Sequence, residues 1–189
     1  MLHLVTAHLD EPHVTAENQG NLNAEIFGTD DFVFEVGQNL RAEKITGNKV
    51  RVYDGRGMME GRYFELEDGD YEDVNIDNGT QNQKRIDLIV LRYAKDEETL
   101  VETITLEYIK GTPSETPVQP SYNEGSILDG DSPVDFPIYA VYLDGVDITE
   151  VKQLFEVYDG LGGALSEITA AWIDEKWGYS LEDGDNLEY

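Results

Sequence analysis

The histidines His3, His8 and His13 are the chain's full complement of three, and all lie within its first thirteen residues. Imidazoles this close in sequence invite a metal reading. A spacing of five, however, fits neither the i, i+4 face of a helix nor the period-two face of a strand. No H-E-x-x-H pattern accompanies them, so they are read as ordinary surface histidines. The acidic turns Asp68-Gly69-Asp70, Leu128-Asp129-Gly130-Asp131 and Asp183-Gly184-Asp185 could offer oxygen ligands to calcium. Each lacks the EF-hand pattern of acids or amides at positions 1, 3 and 5 with Glu at 12, and Asp and Gly are common turn formers in any case. With 40 acids in the chain, some pair of carboxylates falls at glycosidase spacing by chance. The chain contains no cysteine, no G-x-S-x-G elbow and no phosphate-binding G-x-x-x-x-G-K-[ST] loop. Gly55-Arg56-Gly57 fails the dinucleotide pattern because Glu60 stands where the third glycine belongs. No catalytic residue, metal ligand or cofactor is expected. Tyr53, Tyr63, Tyr71, Tyr122, Tyr139 and Tyr142 could form a sugar-stacking platform, although strands favour tyrosine anyway.

The elements that would position these groups are mostly strands. Phe32, Phe34 and Val36 alternate with Val33 and Glu35. Leu40 to Ile45 and Lys49 to Tyr53 flank Gly47-Asn48, a two-residue turn that predicts a β-hairpin. Tyr63, Glu65 and Tyr71 to Ile76 suggest further short strands around a polar turn at residues 67 to 70. Arg85 to Tyr93 is the strongest strand. Ile86, Leu88 and Val90 point one way, Ile89 and Leu91 the other, so both its faces should be buried. A second hairpin follows, with Leu100, Ile104, Leu106 and Tyr108 on one face and Glu102 as that face's single polar break. Pro113, Pro117 and Pro120 mark an extended surface loop. Ile138 to Leu143 and Val146 to Thr149 pair around Asp144-Gly145.

Three segments result: an N-terminal arm over 1–31, a β-rich domain over 32–157 and a helical tail over 158–189. Residues 7 to 31 are expected to form an extended arm or a long functional loop, because they are polar with little periodicity and structureless loops this long are unusual inside compact domains. The domain is expected to be mainly β, an antiparallel sandwich or irregular barrel, since short strands and turn signals alternate throughout. The tail is expected to hold a short C-terminal helix, from Gly163 to Trp177.

Composition narrows the function classes. At 189 residues the chain can bury a real core, and 40% hydrophobic residues argue for folding despite a net charge of −27. That charge repels nucleic-acid phosphates and anionic membrane surfaces. No lysine or arginine occurs between Lys110 and Lys152. Residues 1 to 6 lack the basic start and apolar run of a signal peptide. No run of eighteen apolar residues suggests a membrane span.

A series of fragments, in order, carries a resemblance: His13-Val14-Thr15, Phe27-Gly28-Thr29, Val52-Tyr53-Asp54-Gly55, Met59-Glu60-Gly61-Arg62, Tyr71 to Thr80, Arg85 to Val90, Lys110-Gly111-Thr112-Pro113 and Phe136-Pro137-Ile138-Tyr139. Over roughly residues 1 to 157 the chain resembles small structural proteins of tail and baseplate modules in phages and prophages of Gram-positive bacteria. The resemblance implies a non-enzymatic virion part, made in the bacterial cytoplasm, that contacts neighbouring tail or baseplate proteins. An adaptor fits better than a host-binding protein, because residues 158 to 189 offer no receptor-binding head. The long arm suggests a homo-oligomer, a trimer or a ring. Leu161, Leu165, Ile168 and Trp172 recur at three-four spacing and are expected to form an oligomer or partner interface, the alternative being that the helix packs back on its own β-domain. A carbohydrate-binding module acting on a cell-surface glycan is the alternative, and a glycan hydrolase a third class.

Overall fold

The computed structural model describes residues 14–160 and Lys176. The chain divides into two units, the first ending at Val157 and the second running on from Tyr158. The first unit is mainly β, with two antiparallel sheets around one core.

The first element is a helix, α1 (Ala16–Phe27). Thr15 caps it: its hydroxyl accepts the Asn18 N–H at 3.1 Å, and the Asn18 side chain accepts the Thr15 N–H at 3.2 Å. Glu17 in the first turn suits the positive end of the helix dipole. Helix α1 ends at Gly28, whose φ of 94° disfavours any side chain. Its buried face consists of Gly20 and Ala24. Where an extended arm was expected, residues 16 to 27 are thus helical and packed. Small contact residues leave no apolar period to detect, whereas Leu22 and Ile26 point outward and are about half exposed.

Within this unit the first sheet is built chiefly from four strands: β1 (Phe32–Phe34), β2 (Ala42–Thr46), β3 (Lys49–Met59) and β4 (Arg62–Asn75). β3 is its spine. β4 runs along one side of β3 throughout, while β2 and then β1 pair with the other. The β2–β3 turn falls at Gly47-Asn48, with Thr46 opposite Lys49, as expected. Residues 67 to 70 differ from expectation. They do not turn the chain back but belong to one continuous β4. The register jumps there from Leu66 opposite Gly55 to Tyr71 opposite Tyr53, so the extra residues form a bulge. At the far end Glu60 and Gly61, with φ of 43° and 79°, make the two-residue turn from β3 to β4.

The second sheet has the order β6-β5-β7-β8, from β5 (Lys84–Lys95), β6 (Glu102–Ile109), β7 (Val134–Asp144) and β8 (Asp147–Gln153). β5 is interior and buried on both faces. Ile89, Leu91 and Tyr93 join the core against Val33, Val50, Val52, Met59 and Phe64 of the other sheet. Leu88 and Val90 pack outward with Ala140 under Tyr122, so the loop after β6 covers the outer face. Leu100 departs from expectation: it is 65% exposed in the β5–β6 turn with φ of 59°.

Two buried carboxylates fasten the connections. Asp87, 0% exposed, accepts from Arg85 Nε at 2.7 Å and Nη2 at 2.8 Å, from the Tyr108 hydroxyl at 2.8 Å and from the Gly111 N–H at 2.8 Å. Arg85 also donates Nη1 to the Asn78 carbonyl at 3.2 Å, tying down the loop before β5. Asp135 pairs with Arg92 at 2.6 and 2.9 Å and accepts twice from Asn123, at 2.9 Å from N–H and 2.7 Å from Nδ2. Burial pushes the Asp135 carboxyl up, but Arg92 and the Asn123 donors outweigh it and hold the group below its ordinary range.

Candidate functional site

The two sheets separate at the edges formed by β4 and β6, and α1 closes one end of the gap. The result is a cleft of about 440 Å³. Its helix side carries Gln19, Gly20 and Asn23; its sheet side carries Arg62, Tyr63, Phe64, Tyr93, Glu102 and Thr103. An adjoining apolar slot of about 200 Å³ shares Phe64, Glu65 and Ile104 with it.

The β3–β4 turn positions the floor. Three separate segments hold that turn. The Asn23 amide donates to the Gly61 carbonyl at 2.9 Å, and Asp31 accepts the Glu60 N–H at 3.0 Å. The Glu60 carboxylate accepts from Ser126 Oγ at 2.8 Å, Ile127 N–H at 3.1 Å and Leu128 N–H at 3.2 Å. These bonds keep Glu60 at a positive φ, which glycine adopts far more readily. A Cβ on Gly61 would overlap the Gly20 carbonyl oxygen, so glycine at this turn is what lets α1 approach. Burial pushes the Asp31 carboxyl up to about 6, against the pull of the Glu60 amide, and the Glu60 and Asp30 charges add to the rise.

Arg62 follows the turn and is 8% exposed. Its Nε meets Glu102 at 3.3 Å, a long bond for an ion pair whose members are 8% and 11% exposed. Its Nη1 is buried against Gly20 and has no hydrogen-bond partner among the described residues. The Tyr93 hydroxyl lies between the two charges; burial, then Glu102, pushes it up to about 12. At the rim, Tyr63 is 49% exposed, yet its hydroxyl is fixed to Glu65 at 2.9 Å, and Glu65 in turn pairs with Arg56 at 3.3 Å. The ring is therefore an exposed apolar face held in one orientation. Paired charges, side-chain amides and a fixed aromatic face suit binding of a polar molecule.

Leu161, Leu165, Ile168 and Trp172 lie outside the described residues, as do His3, His8 and His13. No group of three or more potential metal ligands occurs among the described residues. One acid in each of the two described turns has a local partner: Asp68 meets Arg56 at 2.9 Å, and Asp131 accepts the Ser126 N–H at 3.0 Å. The tyrosines do not form one platform. Tyr139 is buried and donates to the Leu40 carbonyl at 2.9 Å. Tyr53 and Tyr71 stand opposite each other under the guanidinium groups of Arg41 and Arg51, at 4.2 and 3.5 Å. Tyr122 and Tyr142 pack on the outer face of the second sheet. Tyr63 alone of the six lines the cleft. Sequence reasoning missed Arg62 and singled out Glu102 merely as a polar residue on an apolar face; that mismatch was the available signal. No helix among the described residues is long and apolar enough to cross a membrane. Comparison of the chain with family models, curated proteins and solved structures finds no match.

Proposed function

We propose that this chain is a non-enzymatic structural or adaptor component of a phage or prophage tail, in the baseplate or receptor-binding apparatus, and that it acts in the virion as a homo-oligomer beside neighbouring tail proteins. The observation that carries the reading is the use of the buried charges. Asp87 and Asp135 each accept four hydrogen bonds, and their partners are arginines, a tyrosine, an asparagine side chain and loop backbone. Such bonding commits both carboxylates to fixing the shape of the fold. The ordered fragments that resemble tail-module proteins include both ends of this framework, Arg85 to Val90 and Lys110 to Pro113. An antiparallel sandwich is the finer form of the mainly β fold that suits such a module, and the outward-facing Leu22 and Ile26 offer contact area for assembly.

Quantitative mass spectrometry of purified particles, together with sedimentation of the isolated chain, tests the proposal. The expected results are stoichiometric presence in the tail and an oligomer in solution. Absence from intact particles, or release of reducing ends from a glycan substrate, would sink it.

A further inference from the structure

The cleft between α1 and the β4 and β6 edges has a charge balance that restricts what can enter. Arg62 is matched by Glu102 at 3.3 Å, and Glu65 at the rim by Arg56 at 3.3 Å. An anion would meet two carboxylates, a cation would meet Arg62, and either would arrive with a charge that nothing in the cleft neutralises. A purely apolar molecule would cover the Glu102 carboxylate, whose bond to Arg62 is long, without water. What remains is an uncharged molecule rich in hydroxyl groups and with one apolar face.

The other features of the site agree. The Tyr63 ring is half exposed and immobilised through its hydroxyl, which is the arrangement that stacks on the C–H face of a sugar ring at low entropic cost. Arg62 is more than nine-tenths buried and has a guanidinium nitrogen, Nη1, without an acceptor. A volume of about 440 Å³ falls in the range of small-molecule sites and holds one ring with some water. We infer that this cleft binds a single uncharged sugar unit, with Tyr63 as the stacking face and Arg62, Glu102 and Gln19 as hydrogen-bonding groups.

The inference is independent of the virion role, since particle composition and sugar binding are separate readouts. The test is an amide-resolved NMR titration of the full chain with glucose, galactose and N-acetylglucosamine, and with glucuronate and glucosamine as charged controls. At least one neutral sugar should give saturable shifts at Gly20, Asn23, Gly61 and Thr103, with millimolar affinity, and the charged sugars should bind more weakly. Y63A should weaken binding about tenfold or more. Y71A removes a tyrosine of similar exposure on the same strand and should leave affinity unchanged. Repeating the titration with short oligomers of the responding sugar separates a free sugar from a polymer end; shifts at the same amides in either case uphold the site. No saturable shift with any of the three neutral sugars at about 50 mM overturns the inference. So does preference for glucuronate or glucosamine, or an equal loss in Y71A.

Discussion

Two corners of the first unit bury an arginine beside a carboxylate, and they differ in completeness. At the Arg85–Asp87 corner the carboxylate accepts four hydrogen bonds of 2.7 to 2.8 Å, with its partners drawn from β5, β6 and the loop after β6. At the Arg62–Glu102 corner a single 3.3 Å bond joins the charges and one guanidinium nitrogen is left without a partner. The first corner is closed and lies at 2% and 0% exposure; the second borders an open cleft. A saturated pair in a dry site fixes geometry. A slack pair beside a cavity keeps hydrogen-bonding capacity that a ligand can use. The cost of that capacity is local stability, because a buried donor without an acceptor loses roughly 1–3 kcal/mol.

The largest expected effect is at the closed corner. D87A leaves the Arg85 charge buried without its carboxylate and frees the Gly111 and Tyr108 donors, so it should cost about 3–5 kcal/mol in denaturant unfolding. A loss no greater than that of a matching change at Glu102 would erase the distinction between the corners. Leu88, on the outer face of β5 and 0% exposed, provides an apolar reference. L88A should cost about 2–5 kcal/mol, and a loss below about 1 kcal/mol would mean that the loop over the second sheet is not a true cover.

The open corner should respond to pH through the turn that supports it. The Asp31 carboxyl has a folded pKa of about 6, above its ordinary value. Its protonated form is therefore favoured by folding: the contribution is complete below about pH 4 and is lost as pH rises through about 6. Asp135, held low, acts in the opposite sense, and its contribution is lost only in acid, as pH falls through its depressed value. D31N keeps an acceptor for the Glu60 N–H while removing the titration. Its stability relative to the wild type should be about 1–2 kcal/mol greater at pH 7.5 than at pH 4.5, measured by melting at both values. An equal offset at both pH values would assign the effect to packing. The smallest change is expected for E102Q, at about 1 kcal/mol or less, because the bond it weakens is already long. A loss approaching that of D87A would show that the open corner is structural after all.

How far the sequence could be read depended on the size of the side chains involved. Both faces of β5 were legible, since Leu88 and Val90 against Ile89 and Leu91 left no polar face to turn outward. The Gly47-Asn48 turn was legible from its small polar pair between two apolar runs, whereas the last hairpin turns at Gly145-Val146, one residue beyond the expected Asp144-Gly145, because Asp144 still pairs with Asp147. Helix α1 was not: Gly20 and Ala24 form its contact face, and small residues register on no hydrophobic period. The continuous β4 was hidden by Glu67 to Asp70, which have the composition of a turn and become a bulge only because β3 holds the strand on both sides of them.

Strand faces and the approximate place of tight turns were thus determined by the sequence itself, because burial acts on each residue in place and short polar pairs interrupt it. The cleft was decided by tertiary structure alone. The α1 pair Gln19 and Asn23, Arg62 of β4 and Glu102 of β6 are far apart along the chain. What brings them together is the close approach of α1 over Gly61 and the parting of two sheet edges. These follow from side-chain volume and the Glu60 turn, and no linear pattern records them.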